Sequence, residues 1–172
     1  MHNRVINNKK TAENTMTVQE KLKCKDKVQD SLKNLLNDWL LASVYCGQTK
    51  QQLKLNWLKQ GHDIDVVEDY IQYDSLFDYV NQTALSWDFV EANTFSDQKV
   101  GYYRLQLSYG GPSTEFRVYT DKDLNIDRIE YWYLDWFDGA FALVDSSKNH
   151  NSISNSIIIN LIKQFLELER ND

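Results

Sequence analysis

At 172 residues and 20.3 kDa the chain has room for one domain, or for one domain with a small appendage, and its 42% hydrophobic content is ample for a core. No run of about 18 apolar residues occurs, which excludes a membrane-spanning helix on hydropathy. The net charge of -6 is segregated: residues 1–60 hold 11 Lys/Arg against 5 Asp/Glu, residues 61–145 hold 5 against 17, and residues 146–172 hold 3 of each, a pattern that predicts surfaces of opposite sign.

Residues 1–15 are polar and aperiodic and are expected to form a disordered tail. They lack the apolar region of a secretory signal, so a cytoplasmic protein is expected. Cys24 and Cys46 fit that compartment as reduced thiols, with no CxxC spacing and no histidine at ligand distance. Residues 16–172 are read as a single α+β domain, with a helical part at 16–84, a sheet at 85–140 and a C-terminal helix at 156–170.

Thr17 and Glu20 match a capping box ahead of a long helix with Val28, Leu32, Leu35, Leu36, Trp39, Leu40 and Ser43 on one stripe. Gly47 is its expected terminator. Lys21, Lys23, Lys25, Lys27 and Lys33 cluster on this helix, either as a solvated face or as an arm that contacts phosphates. A second helix spans about 49–60 with Leu53, Leu55, Trp57 and Leu58. A third starts near Asp63 with Val66, Val67, Tyr70 and Ile71 inside. A short fourth starts at Asp74-Ser75 and buries Leu76, Phe77 and Val80. Asp63, Asp65, Glu68, Asp69, Asp74 and Asp78 make these helices acidic, either as hydrated surface or as one edge of a phosphate-like charge mosaic.

Strict alternation then takes over. Leu85, Trp87 and Phe89 predict a strand over 85–92, followed by a loop at 93–99. Tyr103, Leu105, Leu107 and Tyr109 alternate with polar residues over 100–109. Gly110-Gly111-Pro112-Ser113 stops that strand, because glycine supplies positive φ and proline cannot donate to a ladder. Thr114–Thr120 is the next strand, Asp121–Asn125 a polar turn, and Ile126–Trp136 the last strand, apolar on both faces. Asp138-Gly139 reads as a turn, Phe141–Val144 is ambiguous, and 145–151 reads as a loop. Ser156 is expected to cap a helix with Ile158, Leu161, Ile162, Phe165, Leu166 and Leu168. The predicted architecture is N-terminal helices, a four-stranded antiparallel β-meander, and a C-terminal helix packed on the sheet.

No enzyme is expected. His2, His62 and His150 have no triad or metal-ligand context, and no Walker, dinucleotide, HExxH or GxSxG motif occurs, so neither cofactor nor metal is expected. Gly110-Gly111 precedes a strand where a phosphate cradle would need a helix N-terminus. Asp135 and Asp138 form the one candidate carboxylate pair, which would serve a small hydrolase. Tyr131, Trp132, Tyr133, Trp136 and Phe137 could stack bases, but the acidic body around them repels phosphates. Core and protein interface are the expected uses.

Leu107–Ser113 (LSYGGPS) and Ile129–Ala140 (IEYWYLDWFDGA) resemble segments of small accessory proteins of phages, plasmids and conjugative elements of Gram-positive bacteria, among them type II anti-CRISPR proteins. The resemblance covers about 40 residues. It implies a non-enzymatic inhibitor of a host defence nuclease, with Tyr109, Gly110, Gly111, Pro112, Tyr131, Tyr133, Trp136 and Asp138 as its aromatic and turn motif. The implied partner is an RNA-guided effector nuclease or its guide-RNA complex in the host cytoplasm. Its basic channel would meet acidic candidates at Asp63, Asp65, Glu68, Asp69, Asp74 and Asp78, and at Asp121, Asp123 and Asp127. The other reading is a nucleic-acid-binding accessory protein that uses the lysines of the first helix.

Overall fold

The alternating half of the chain folds as an antiparallel meander. The computed structural model describes residues 23–53, 55, 67–144 and 153–170, and orders five strands β1-β2-β3-β4-β5. They are β1 (Ser86–Val90), β2 (Tyr102–Ser108), β3 (Ser113–Thr120), β4 (Ile126–Asp135) and β5 (Asp138–Val144). Among the described residues three helices flank them: α1 (Cys24–Tyr45), α2 (Leu76–Thr83) and α3 (Ile153–Glu169). The α+β class is as the sequence predicts, but the meander has a fifth strand. β4 ends at Asp135, Trp136-Phe137 form a two-residue turn, and Asp135 pairs with Asp138, so the ambiguous segment at 141–144 becomes the end of β5. The reversal falls before Asp138-Gly139, because Trp136 takes the left-handed φ of 51° that a turn signal would assign to glycine or asparagine.

One sheet face is apolar and carries the helices. Trp87, Leu105, Phe116, Tyr131 and Ala142 stand in register across all five strands. α1 packs Val28, Leu32 and Trp39 on this face, and α3 adds Ile158, Leu161, Ile162, Phe165 and Leu166. Ring centroids of Trp39 and Phe116 lie 5.6 Å apart, and those of Phe165 and Trp87 5.1 Å apart. The C-terminal helix therefore covers the sheet with the long helix beside it, as the apolar stripes require. Ser43 and Leu168, counted on those stripes by spacing, are exposed; α1 ends its buried face on Ala42 and Tyr45 instead.

The helix ends follow local chemistry. Gly47 lies at φ 74° just past the end of α1, and a Cβ there would stand 2.7 Å from the Asp74 carbonyl oxygen, so only glycine fits this terminator. Thr49 and Gln52 exchange capping hydrogen bonds ahead of a helical turn at 50–53. The Ser75 hydroxyl accepts from the Asp78 amide at the start of α2. Ser156, expected as a cap, lies inside the first turn of α3, which begins at Ile153; the apolar face that follows sustains the helix through residues of middling propensity. The Thr17 box, and Trp57, Leu58, Asp63, Asp65 and Val66 of the second and third predicted helices, lie outside the described residues.

Candidate functional site

The two segments quoted above for their resemblance meet in space. The β2–β3 turn carries Tyr109, Gly110 at φ 115° and a cis Gly111-Pro112 bond, and the β4–β5 turn carries Trp136 and Phe137. A Cβ on Gly111 would stand 2.7 Å from Trp136 Nε1, so the indole lies directly against the glycine backbone. Tyr109 and Trp136 are each 86% exposed and Phe137 is fully exposed. Three large rings in water, on two adjoining turns, with one bulky residue at positive φ, are not explained by burial.

The carboxylates beside this tip hold it in place. Asp138 Oδ2 accepts from the Cys24 amide at 2.8 Å, supplying from β5 the cap that Lys23 does not give α1. That backbone hydrogen bond pulls the Asp138 carboxyl below the ordinary carboxylate range. Asp135 meets Lys27 Nζ at 3.5 Å. Lys27 also stands 5.9 Å from the centroid of Tyr133, which packs at the edge of the core. Tyr131 is buried, and its hydroxyl shares a 2.7 Å hydrogen bond with Ser31 of α1. Of the eight motif residues, Tyr109, Gly110, Gly111, Pro112, Trp136 and Asp138 thus form the tip, while Tyr131 and Tyr133 tie it to the helix.

The acidic candidates do not join this site, whereas Lys27, one of the basic ones, does so through Asp135. Asp74 touches Gly47 past the C-terminus of α1, whereas Asp138 caps its N-terminus. The 22 residues between set the two ends roughly 33 Å apart at 1.5 Å per residue. Glu68 pairs with Lys50 at 3.8 Å, Asp69 and Asp74 are exposed, and Asp78 binds the Asp74 amide and Gln82. Asp121 closes its own turn by accepting from the amides of Asp123 and Asn125 and from the Asn125 side chain, the contact that contributes most to lowering its pKa. Asp123 and Asp127 are exposed beside it. Lys23, Lys25 and Lys33 point into solvent along α1, and Lys21 lies outside the described residues.

Two features escaped the reading by motif. Asp38 of α1 accepts from Tyr70 at 2.5 Å and from Tyr79 at 2.9 Å, and burial with these bonds pushes both phenols well above their ordinary pKa. This knot joins α1 to α2 beneath the smaller cluster of Ala42, Tyr45, Leu53, Val67 and Tyr70. The second is the sheet face opposite the helices. Arg104 is forked onto Asp88 at 2.8 and 3.1 Å. Glu115 and Glu130 are buried there, and each takes the Nε of an arginine two residues along its own strand: Arg117 at 2.6 Å and Arg128 at 2.9 Å. Arg117 lies 4.0 Å from the Trp132 ring centroid and 4.9 Å from that of Tyr102, and Arg128 lies 3.5 Å from that of Tyr119. The Tyr102 hydroxyl, buried beneath, has no hydrogen bond among the described residues. The signal in the sequence was Glu115-x-Arg117-x-Tyr119 and Arg128-x-Glu130-x-Trp132, opposite charges two apart on one strand face.

Among the described residues no group of three His, Cys, Asp or Glu side chains could hold a metal ion, and no helix is long and apolar enough to cross a membrane. Set against protein-family models, curated proteins and solved structures, the chain matches none.

Proposed function

We propose that this protein is a non-enzymatic, stoichiometric inhibitor that anchors its aromatic tip in a pocket of a bacterial defence nuclease. The carrying observation is that the two resembling segments converge on one exposed tip, Tyr109, Trp136 and Phe137, held by Gly111 and by the Asp138 cap on α1. Trp and Tyr in such settings dominate binding energy because they add large apolar area at little conformational cost. The resemblance names the target class: a type II RNA-guided effector in the host cytoplasm. The exposed acids Glu68, Asp69, Asp74, Asp123 and Asp127 would speed encounter with its basic channel.

The test is a pull-down of the tagged protein from a Gram-positive lysate containing a type II ribonucleoprotein, followed by a DNA-cleavage assay. Retention with loss of cleavage supports the reading. The variant Trp136→Ala/Phe137→Ala should then lose about 2 kcal/mol of binding, roughly 30-fold in Kd. No retention of the nuclease sinks it. A second reading rests on the exposed Lys23, Lys25 and Lys33 of α1, which would contact phosphates in an accessory nucleic-acid-binding protein. Binding of free RNA or DNA that weakens steeply with salt and with charge removal at those lysines would favour that reading.

A further inference from the structure

We propose that the cavity between the β1–β2 loop and the outer sheet face binds a nucleotide, holding its phosphate with Arg117, Arg128 and Lys99 and its base against Phe95. The cavity has a volume of about 440 Å³, and its walls include these four residues with Tyr119 and Trp132. That volume falls within the few hundred cubic ångströms of small-ligand pockets. The site sits at the end of the sheet where β1–β2 and β3–β4 connect, remote from the tip made by the β2–β3 and β4–β5 turns.

The arginines are set as paired forks. In each, a buried glutamate takes the Nε, Glu115 for Arg117 and Glu130 for Arg128, and an aromatic ring fixes the guanidinium plane. Among the described residues the terminal nitrogens of Arg117 have no hydrogen bond, whereas Arg128 has one long contact of 3.5 Å to the exposed Asp127 and a side-chain hydrogen bond with Tyr119. Such a fork, immobilised from behind, is what bidentate recognition of an oxyanion needs. Lys99 lines the same cavity with no ion pair among the described residues, and Asp97 is the one acid on its wall. Three donors from three elements suit the three terminal oxygens of a phosphate better than the two of a carboxylate. Glu115 and Glu130 offset the charge of the arginines, so selectivity comes from the direction of the N–H groups, not from net potential. The rings of Tyr119 and Trp132 already lie against the arginines, which leaves Phe95, half exposed at the rim, as the open platform. Stacking on such a ring tolerates any base.

The nucleotide could be free or an unpaired residue of a strand, and titration calorimetry on the full chain separates the two. Probes are AMP, inorganic phosphate, adenosine and an eight-nucleotide oligo(dT). The expected result is saturable AMP binding at least 10-fold tighter than either phosphate or adenosine. Arg117→Lys should weaken it at least 10-fold, and Phe95→Ala should weaken AMP binding but not phosphate binding. Oligo(dT) more than 10-fold tighter than AMP assigns the site to a strand; equal or weaker binding assigns it to the free nucleotide. Absence of binding by both AMP and oligo(dT) overturns the proposal. Equal affinity for AMP and phosphate overturns the base subsite. If Arg117→Lys does not fold, judged by near-ultraviolet circular dichroism, the rim variants Lys99→Gln and Phe95→Ala replace it, and AMP affinity unchanged in both overturns the site.

Discussion

The two faces of the sheet bury their side chains by opposite means. On the inner face Leu105, Phe116, Val118 and Ile129 meet α1 and α3 through contacts with no preferred direction. On the outer face no helix packs among the described residues, and the side chains are held instead by Arg104, Arg117 and Arg128 bonded to Asp88, Glu115 and Glu130, with Arg117 and Arg128 also stacked on aromatic rings. The apolar face tolerates any shape that fills space. The ionic face depends on each bond being present, because an unpaired charge at a buried position costs more than the pair contributes. The turns at the tip belong with the second kind, since one carboxylate and one glycine hold them.

The largest expected effect lies on the inner face. Phe116→Ala empties the centre of the core, where Phe116 contacts Trp39 and Tyr131, and should cost about 3–5 kcal/mol by urea denaturation. On the outer face, Glu115→Gln leaves the mostly buried Arg117 without its counter-ion and should cost about 2–3 kcal/mol. The paired change Glu115→Leu/Arg117→Met should stay within about 1 kcal/mol of the parent, because a buried pair replaced by apolar groups of similar volume is close to neutral. A double variant that loses as much as the single one breaks the contrast between the faces, since the loss would then not come from leaving the arginine without its counter-ion.

The inner face was legible in the sequence because alternation is a property of one strand at a time. Tyr103, Leu105 and Leu107 announce it without knowledge of any partner. The outer face was only half legible. Glu115-x-Arg117 can be read within β3, but Arg104 finds Asp88 only through the register of β1 on β2 across a loop of eleven residues. The fifth strand was missed for a different reason. A turn search looks for glycine or asparagine at positive φ, and this chain places Trp136 there, next to a conventional Asp138-Gly139 signal that proved to be the start of β5. The exposed aromatic pair and the misplaced turn are thus the same residues. Local rules fail where the chain departs from what folding alone would choose.

A smaller effect follows from Asp138. Its carboxyl is held below its ordinary pKa by the Cys24 amide, so its contribution is present above the unfolded value of about 3.9 and is lost as pH falls through the folded one. Asp138→Asn should therefore be less stable than the parent at pH 7, by less than Glu115→Gln. The gap should narrow as pH falls through the carboxylate range, in parallel denaturation curves at pH 7 and pH 3. A gap undiminished at pH 3 would assign the loss to packing of the β4–β5 turn and not to charge at the helix N-terminus.

Trp136→Gly should change stability least and function most. A bulky residue at φ 51° costs about 1–2 kcal/mol in backbone strain, which glycine relieves. Against that gain stand the lost contact of the indole with Gly111 and the added entropy of a glycine in the unfolded chain, about 0.5–1 kcal/mol. These terms nearly cancel, and the unfolding free energy from urea denaturation should change by no more than about 1 kcal/mol in either direction. A loss above about 2 kcal/mol would mean that the indole is part of what holds β4 to β5, and the tip would then belong to the fold. A midpoint that holds, with capture of the nuclease abolished, would mean that the strain at Trp136 is retained for what the ring meets outside the protein.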